Sequence, residues 1–564
     1  MAEDTEPLVG FTGSSEIRDY ETSNNQHTEE ETSQEDSPLV NLDLDKLLTE
    51  RLGEFGRYQK VIYFLICLPA ALTAGVTLSS VFTEFSPPHR CYIPGCDDLQ
   101  SPRYDDAYYF SFYNFTVPVN KSLAQCEMLT RLDNTSKSCL PVDFSSEPER
   151  CERRLFSDSV MKRSVATEFD LVCDSQWELP LSQSVFFAGV LVGAPLWGHS
   201  ADLLGRRVTF FISLLETSVF GILAAFSTSF NMFVVVQFFT AMGQVGLFQT
   251  AFVLGIELVG PNKRTLCGIL IEFVFVTGEL YLALVAWQLR DWRKVQLACS
   301  VPCLALFSYY FILPESVRWL LTKKKYDMAQ SRLEKIAKRN NVEMPKKEEL
   351  AQYTRQEEVG ECQNTETMMD LLRRPRMLGR LLNVFFNWFV ITMIYYGLSL
   401  NAASLAGDVY VNFALLSLCE VPGYSLSYLG MKFAGRRLTL SVSLLIGGVS
   451  CLISSIVPNT FISTAFFLLG KFGATAGFGT TYLYTGELFP TQVRSLCVGV
   501  SSMVGRLGAI ISPYIAELGL LTGISWLPMA VFAGTSLLSG LLTLLLPETR
   551  NKTLPTTVEE AENI

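Results

Sequence analysis

A chain of 564 residues that is 49% apolar, with positive mean hydropathy, holds too much hydrocarbon for one soluble core, so its apolar residues must fall into blocks. The net charge of −11 suggests an acidic protein, yet Met1 to Val40 holds 11 acids against Arg18 alone and accounts for −10 of it, leaving the remainder nearly neutral and no nucleic-acid partner expected. His27, His89 and His199 are far apart and no C-x-x-C or H-E-x-x-H pattern occurs, so a metal centre or an enzyme reading has no motif to rest on.

In chain order, residues 1–57 read as a cytoplasmic acidic tail and pre-helix, the first 40 being polar, poor in aromatics and expected to be disordered. Glu35-x-x-x-Leu39-Val40 and Asp43-x-x-x-Leu47-Leu48 have the form of acidic dileucine sorting signals for endosomes or lysosomes. Leu44, Leu47, Leu48 and Leu52 also recur at helical spacing, which suits plain packing against the membrane. No short apolar region with a cleavage site precedes the first long apolar block, so no signal peptide is expected. Windows of roughly 20 mainly apolar residues, the length that crosses a bilayer, occur at 61–83, 181–199, 208–228, 232–254, 266–289 and 295–313, then at 378–400, 410–430, 438–457, 461–484, 496–515 and 524–546. Twelve spans follow, six in 58–313 and six in 378–546, with a linker at 314–377 and a cytoplasmic tail at 547–564.

The segment 83–180 between the first two spans is polar and carries Cys91, Cys96, Cys126, Cys139, Cys151 and Cys173, with sequons at Asn114, Asn120 and Asn134. An even cysteine cluster beside glycan acceptors indicates an oxidising extracellular or lumenal face, with the connectivity left open. That placement puts Arg206, Arg207, Lys263, Arg264, Lys432, Arg436, Arg437 and Arg494 on the cytoplasmic side, as the positive-inside rule asks. The loop Arg290-Asp-Trp-Arg-Lys294 dissents, being basic and outside. The linker is basic and helical in pattern around KKKYDMAQSRLEKIAKR.

The two sets of six are copies of one unit. GHSADLLGRR, Gly198 to Arg207, returns as GMKFAGRR, Gly430 to Arg437, with the arginines 230 residues apart. Glu257 and Arg264 return at the same offset as Glu487 and Arg494, and Pro314-Glu315-Ser316 returns as Pro547-Glu548-Thr549 at an offset of 233. Repetition in register between apolar blocks is the mark of a duplicated transporter half. The D-x-x-G-R-R turn, the E-x(6)-R signature and the two P-E-[ST] stops resemble the major facilitator superfamily, and PESVRWL with ELFPTQVRS resembles its organic ion branch, solute carrier family 22. LGEFGRYQK, LGKFGATAGF and SSMVGRLGAIISPY are most similar to the organic cation/carnitine transporters, and the resemblance runs from Leu47 to Thr557.

Glycine at 205 permits the tight turn, Asp202 can accept backbone N–H bonds, and Arg206 and Arg207 can reach carboxylates such as Glu257 or Glu487. With Arg264, Glu315, Arg318, Arg436, Arg437 and Arg494 these form a candidate gate, which by resemblance braces the outward-facing state. Leu203 stands where the family has Arg and Lys432 where the second copy has Asp, which predicts a weakened second cluster. Ionisable residues inside spans default to functional candidates, and Glu216, Glu272, Glu279, Glu420, Lys471 and Arg506 lie deep, with Glu272 and Glu279 on one helix face. By resemblance Glu420 matches a glutamate near the central cavity, and Arg506 falls where cation-selective members have Asp while carnitine and anion members have Arg. A cavity guanidinium holds a carboxylate and repels a simple cation; alternatively Arg506 forms an internal salt bridge with one of the glutamates. Trp388 and Tyr395 share a face of the seventh span, and Phe248 and Phe275 match cavity aromatics by resemblance, a set suited to cation–π contact with a methylated ammonium.

These residues point to an all-α, twelve-helix transporter of small organic zwitterions or cations such as carnitine, acting by alternating access, with the bilayer as its other partner. Arg506 and Lys471 favour an organic-anion transporter as the alternative; the long tail and ectodomain favour a non-transporting receptor or scaffold. No cofactor is expected, sodium as coupling ion is implied by analogy alone, and a monomer or weak homo-oligomer at the plasma membrane is the expectation.

Overall fold

The structure, a computed structural model, describes residues 39, 42–94, 96–97, 104, 116, 125–132, 139–346, 349, 353, 367–552, 554–555 and 557–563. Asn114, Asn120, Asn134 and, except for Leu39, the Glu35 sorting pattern lie outside them.

Among the described residues, ten helices are long and apolar enough to cross a membrane. The first half supplies α1 (Arg57–Thr77, carried on by Ser80–Thr83), α2 (Glu178–Leu204), α3 (Arg206–Ala225), α4 (Phe230–Glu257) and α5 (Arg264–Leu289). The sixth crossing is α6 (Trp292–Ala305), which tightens into a 3-10 segment at Leu306–Phe311. A linker helix, α7 (Tyr326–Asn340), ends where Asn341 turns left-handed at φ 57°. The second half contains α8 (Pro375–Leu400), a broken eighth span α9 (Val409–Leu418) and α10 (Glu420–Phe433), α11 (Arg436–Ile456), α12 (Thr460–Leu488), α13 (Arg494–Thr522) and α14 (Leu527–Thr543). The chain is thus a twelve-span, all-α membrane protein built from two six-helix repeats. Gly205 and Gly435 occupy equivalent turns with φ 102° and 96°, a region that L side chains avoid, which is why the repeated GRR keeps its glycine.

The break in the eighth span positions the site described below. Pro422 has no N–H to give the Leu418 carbonyl and its ring crowds that oxygen, so the helix loses one bond beside Glu420, while Cys419 keeps its bonds to Leu415 and Gly423.

By contacts the chain divides into two compact units, one of which holds Tyr63–Ile256, Thr265–Leu313 and the chain beyond the linker. Within it the segment before α2 forms two small antiparallel ladders, β1 (His89–Cys91) with β4 (Arg154–Phe156) and β2 (Glu127–Arg131) with β3 (Phe144–Arg150). Disulfides Cys91–Cys151, Cys96–Cys139 and Cys126–Cys173 settle the pairing that the sequence left open. This disulfide-bonded segment touches alternate interhelical connections. Arg290 Nε donates to the Val160 carbonyl at 2.8 Å, Arg293 pairs with Glu168 at 2.6 Å, the Tyr410 hydroxyl donates to the Val160 carbonyl at 2.7 Å, and Gln176 reaches Glu517 at 3.4 Å. The ends of α5, α9 and α13 therefore lie on the same face as this segment, as an alternating count of spans requires.

The other unit gathers the N-terminal segment to Ile62, Glu257–Arg264 and the linker from Pro314. In it Leu44, Leu47, Leu48 and Leu52 are buried, so Leu47 and Leu48 are packed inside protein rather than presented as an accessible dileucine signal. Asn340, closing α7, fastens this pre-helix by accepting from the Tyr58 N–H at 3.0 Å and donating to the Leu52 carbonyl at 2.9 Å.

Candidate functional site

The ionisable residues buried in the second half converge on the broken span. Glu420 Oε1 lies 2.7 Å from Lys471 Nζ of α12, with side-chain exposures of 0% and 1%. Tyr395 of α8 donates its hydroxyl to Glu420 Oε2 at 3.0 Å, while Lys471 also bonds Ser399 Oγ at 2.6 Å and sits 3.3 Å over the Tyr395 ring. From α5, Glu279 is buried beside this pair with its carboxylate against Ser417, and Glu272, two turns along the same face, meets Tyr424. Glu420 is therefore neutralised within the protein by Lys471, and Arg506 is not its partner.

Arg506, on α13, stands apart from that pair. Its guanidinium meets Tyr482 and has Tyr396 alongside. Nε and Nη1 are both buried without a hydrogen-bond partner among the described residues. A guanidinium has five donors and gains most from a bidentate carboxylate, so two idle, desolvated N–H directions mark a place for an acidic ligand group.

Aromatic rings join the two poles. Tyr395 stacks on Phe478 with centroids 5.4 Å apart, Phe478 meets Tyr482 edge-on at 5.7 Å, and Tyr482 meets Trp388 at 4.4 Å. Trp388 is buried and donates its indole N–H to Thr485 Oγ1 at 3.0 Å, which gives it a packing role at the end of this row. Phe248 and Phe275 form an edge-on pair at 5.6 Å, both half-buried. Sequence reading missed Tyr396, Tyr424, Phe478 and Tyr482. The signal was available on α12, where Lys471, Phe478 and Tyr482 follow one another at helical spacing.

The gate residues divide between the two units. In the larger one Arg436 pairs with Glu487 at 2.9 Å, and Glu548 accepts the backbone N–H groups of Arg436 at 2.8 Å and Arg437 at 3.1 Å. The substitution of Lys432 for an acid was expected to weaken this cluster, but it forms all the same, because Glu548 of the P-E-T stop supplies the charge at the α11 N-terminus. A Cβ at position 435 would meet the Glu548 carboxylate at 2.5 Å, so the turn glycine also makes room for that acid. In the first copy Arg206 pairs with Asp202 at 3.1 Å, and Arg207 lies 4.3 Å over the Tyr310 ring. Arg494, at the start of α13, keeps Nε and Nη2 buried without hydrogen-bond partners among the described residues.

In the smaller unit, Asp45, which sequence reading passed over, receives Arg264 at 2.6 Å and also Arg318, whose Nε donates to the Glu257 carbonyl at 3.3 Å. Burial alone would raise the Asp45 carboxyl, but its bonds to Arg318 and Arg264 hold it below the usual carboxylate value. Glu315 is buried and accepts the Ser316 N–H at 2.9 Å.

Comparison with known proteins decides the family. Residues 107–560 match the "Sugar (and other) transporter" family. The chain is 36% identical over 532 residues to the organic cation transporter protein of Drosophila melanogaster, covering 92% of this chain and 94% of that one. The chain belongs to the major facilitator superfamily, within solute carrier family 22. It is 34% identical to organic cation/carnitine transporter 2 of Homo sapiens, covering 91% of this chain and 93% of that one, and 33% identical to the beta-alanine transporter of Drosophila melanogaster, covering 93% and 90%. Among solved structures, the xylose transporter XylE from E. coli matches with TM-score 0.54 and 14% identity over 90% of this chain and 99% of its own, and the human organic anion transporter MFSD10 with TM-score 0.52 and 15% identity over 86% and 99%. Those likenesses establish the fold. As a member of this family the chain is a membrane transporter and not an enzyme.

Proposed function

We propose that this transporter carries small organic zwitterions, molecules with a quaternary or protonated amine at one end and a carboxylate at the other, across the plasma membrane by alternating access. The observation that carries the reading is the separation of charge around the aromatic row. Glu420 and Lys471 cancel each other, Glu272 and Glu279 remain as acids on α5, and Arg506 keeps two desolvated donors beside Tyr396 and Tyr482. A zwitterion satisfies both poles, whereas a simple cation leaves Arg506 unmet and a simple anion leaves the α5 acids unmet. Two relatives are named for carnitine and for beta-alanine, each a molecule of this class.

The face that carries three disulfides is assigned to the outside, which places both termini in the cytoplasm, and the unit that works is taken as a monomer or weak homo-oligomer. Sodium is proposed as the coupling ion. The test is uptake of labelled carnitine, tetraethylammonium and an aryl carboxylate into cells displaying the protein, in sodium and in choline medium. Carnitine transport well above the other two is the expected result. Preference for the aryl carboxylate would instead support an organic-anion transporter, a reading weakened by the commitment of Lys471 to Glu420.

A further inference from the structure

A second polar pocket lies away from the central site, between the C-terminal end of the first span, α2 and α4. Its lining includes Thr77, Ser79, Glu84, Gln183 and Gln237, with Phe186 and Phe187 as apolar walls, and no Lys, Arg or His lines it. Glu84 is 5% exposed. Its Oε1 accepts the Ser182 hydroxyl at 3.2 Å and its carboxyl also meets the Gln183 side chain, while Oε2 is buried with no hydrogen-bond partner among the described residues. Gln237 is 3% exposed, and its Oε1 is likewise buried without a hydrogen-bond partner among the described residues. Two buried oxygens from different helices therefore belong to residues that line one cavity, one from a carboxyl group and one from an amide.

The remaining groups are also prepared as acceptors. Thr77 donates its hydroxyl proton to the Thr73 carbonyl at 2.7 Å and Ser79 gives its own to the Val76 carbonyl at 2.9 Å, leaving lone pairs for another partner. Ser182 has spent its proton on Glu84. An unpaired carboxylate in a low-dielectric pocket is costly unless a cation or proton joins it. Oxygen-only donors suit a hard cation, and a single carboxylate balances one positive charge rather than two.

We propose that this pocket binds a monovalent alkali cation, sodium, with Glu84 Oε2 and Gln237 Oε1 as its principal ligands and neighbouring hydroxyl and amide oxygens completing the shell. The proposal rests on the sodium coupling put forward above and gives it a location distinct from the substrate site. It also supplies a route for coupling. Phe187 walls the cation pocket and packs its ring on Tyr396 at 4.6 Å, and Tyr396 lies beside Arg506. Filling the pocket fixes Phe187, and through it the tyrosine next to the carboxylate-binding guanidinium.

Purified full-length protein in detergent, without substrate, is heated in NaCl, in choline chloride and in CaCl2 at matched ionic strength. Sodium is expected to raise the unfolding midpoint saturably, and Glu84→Gln and Gln237→Leu each to raise the half-saturating sodium concentration by about tenfold or more, as loss of one charge-assisted or amide ligand implies. If Glu84→Gln does not yield monodisperse protein, Gln237→Leu carries the test alone. An unresponsive wild type, a response to calcium in place of sodium, or an unchanged sodium response in the variants overturns the site. Because no substrate is present, a sodium response without carnitine uptake would overturn the substrate reading and leave this one standing.

Discussion

The pair of Lys471 and Glu420 is the most demanding electrostatic arrangement in the described chain, and its removal has a calculable signature. Lys471 Nζ stands 2.7 Å from Glu420 Oε1 with both side chains essentially unexposed, and Glu420 Oε2 accepts the Tyr395 hydroxyl. Deleting one member of such a pair costs about 3–5 kcal/mol, because the survivor stays buried and charged, whereas replacing both can be near neutral. Lys471→Met should be the worst single change, since Glu279 loses the same nearby cation. Glu420→Gln should be milder, because Lys471 keeps Ser399 Oγ at 2.6 Å. The double variant should recover most of the loss, a coupling on the order of 2 kcal/mol or more. Unfolding midpoints of the four detergent-purified proteins, with surface abundance in cells, read the cycle. A double variant as poor as the two single effects added together would refute the assignment of Glu420 to Lys471 and return Glu420 to the list of substrate ligands.

Three further outcomes follow from named contacts. Arg506→Asp should collapse uptake of zwitterions and anions while sparing or favouring tetraethylammonium, since one desolvated charge-assisted pair is worth about 2–5 kcal/mol; equal losses for every substrate class would make Arg506 a packing residue. Glu548→Gln removes the acid at the α11 N-terminus, worth about 0.5–2 kcal/mol, and should lower maximal transport with little change in apparent substrate affinity; an unaltered maximal rate would separate the Arg436 cluster from gating. Burial alone would raise the Glu168 carboxyl, but bonds from Arg293 and Trp292 hold it below the ordinary carboxylate value, so its stabilisation is complete above an unfolded-state value of about 4.3 and fades as pH falls through the lowered folded value. Hydrogen exchange at 289–293 should accordingly quicken at acid pH in the wild type and already at neutral pH in Glu168→Gln; equal protection in both proteins would sink this account.

The fold was legible because bilayer thickness imposes its own ruler on the sequence. The twelve apolar windows fall on the helices with ends that differ by up to seven residues, and the repeated glycine turns reappear as Gly205 and Gly435 with the same backbone sign. The site was legible as a set of residues and not as an arrangement. Arg506, Glu420, Lys471, Glu272 and Tyr395 were all singled out, yet which acid takes which base depends on how α10 is set beside α8 and α12, a matter of ångströms that no spacing rule reports. The second arginine cluster, put in doubt by Lys432, forms for a related reason. Reading position by position finds Lys432 where an acid is due, but the charge needed at a helix N-terminus can arrive from any residue that folding brings there, and Glu548 arrives from 111 positions away. Asp45 escaped notice because it precedes the first span and belongs to none of the repeated motifs.

The one basic loop that offends the positive-inside rule turns out to belong to the ectodomain. Arg290 is committed to carbonyls of Asp158, Ser159 and Val160, and Arg293 to Glu168 and the carbonyls of Ala225 and Ser227. Charges spent on local acceptors in this way act as clamps for the disulfide-bonded segment and need no anionic lipid surface, so the loop does not count against placing that segment outside. The opposite face keeps its own company, where Arg436 meets Glu487 and Arg374 meets Glu562 near the C-terminus. The two assignments stand or fall together, since the contacts of Arg290, Tyr410 and Glu517 tie alternate loops to a single side. Glycans give the test. Asn114, Asn120 and Asn134 should each contribute to an enzyme-sensitive mobility shift that disappears when all three are changed to Gln, while Asn551, in a sequon at the C-terminal end, should contribute none. A glycan on Asn551 would place the Arg436 cluster in the oxidising compartment, and the proposed orientation could not survive it.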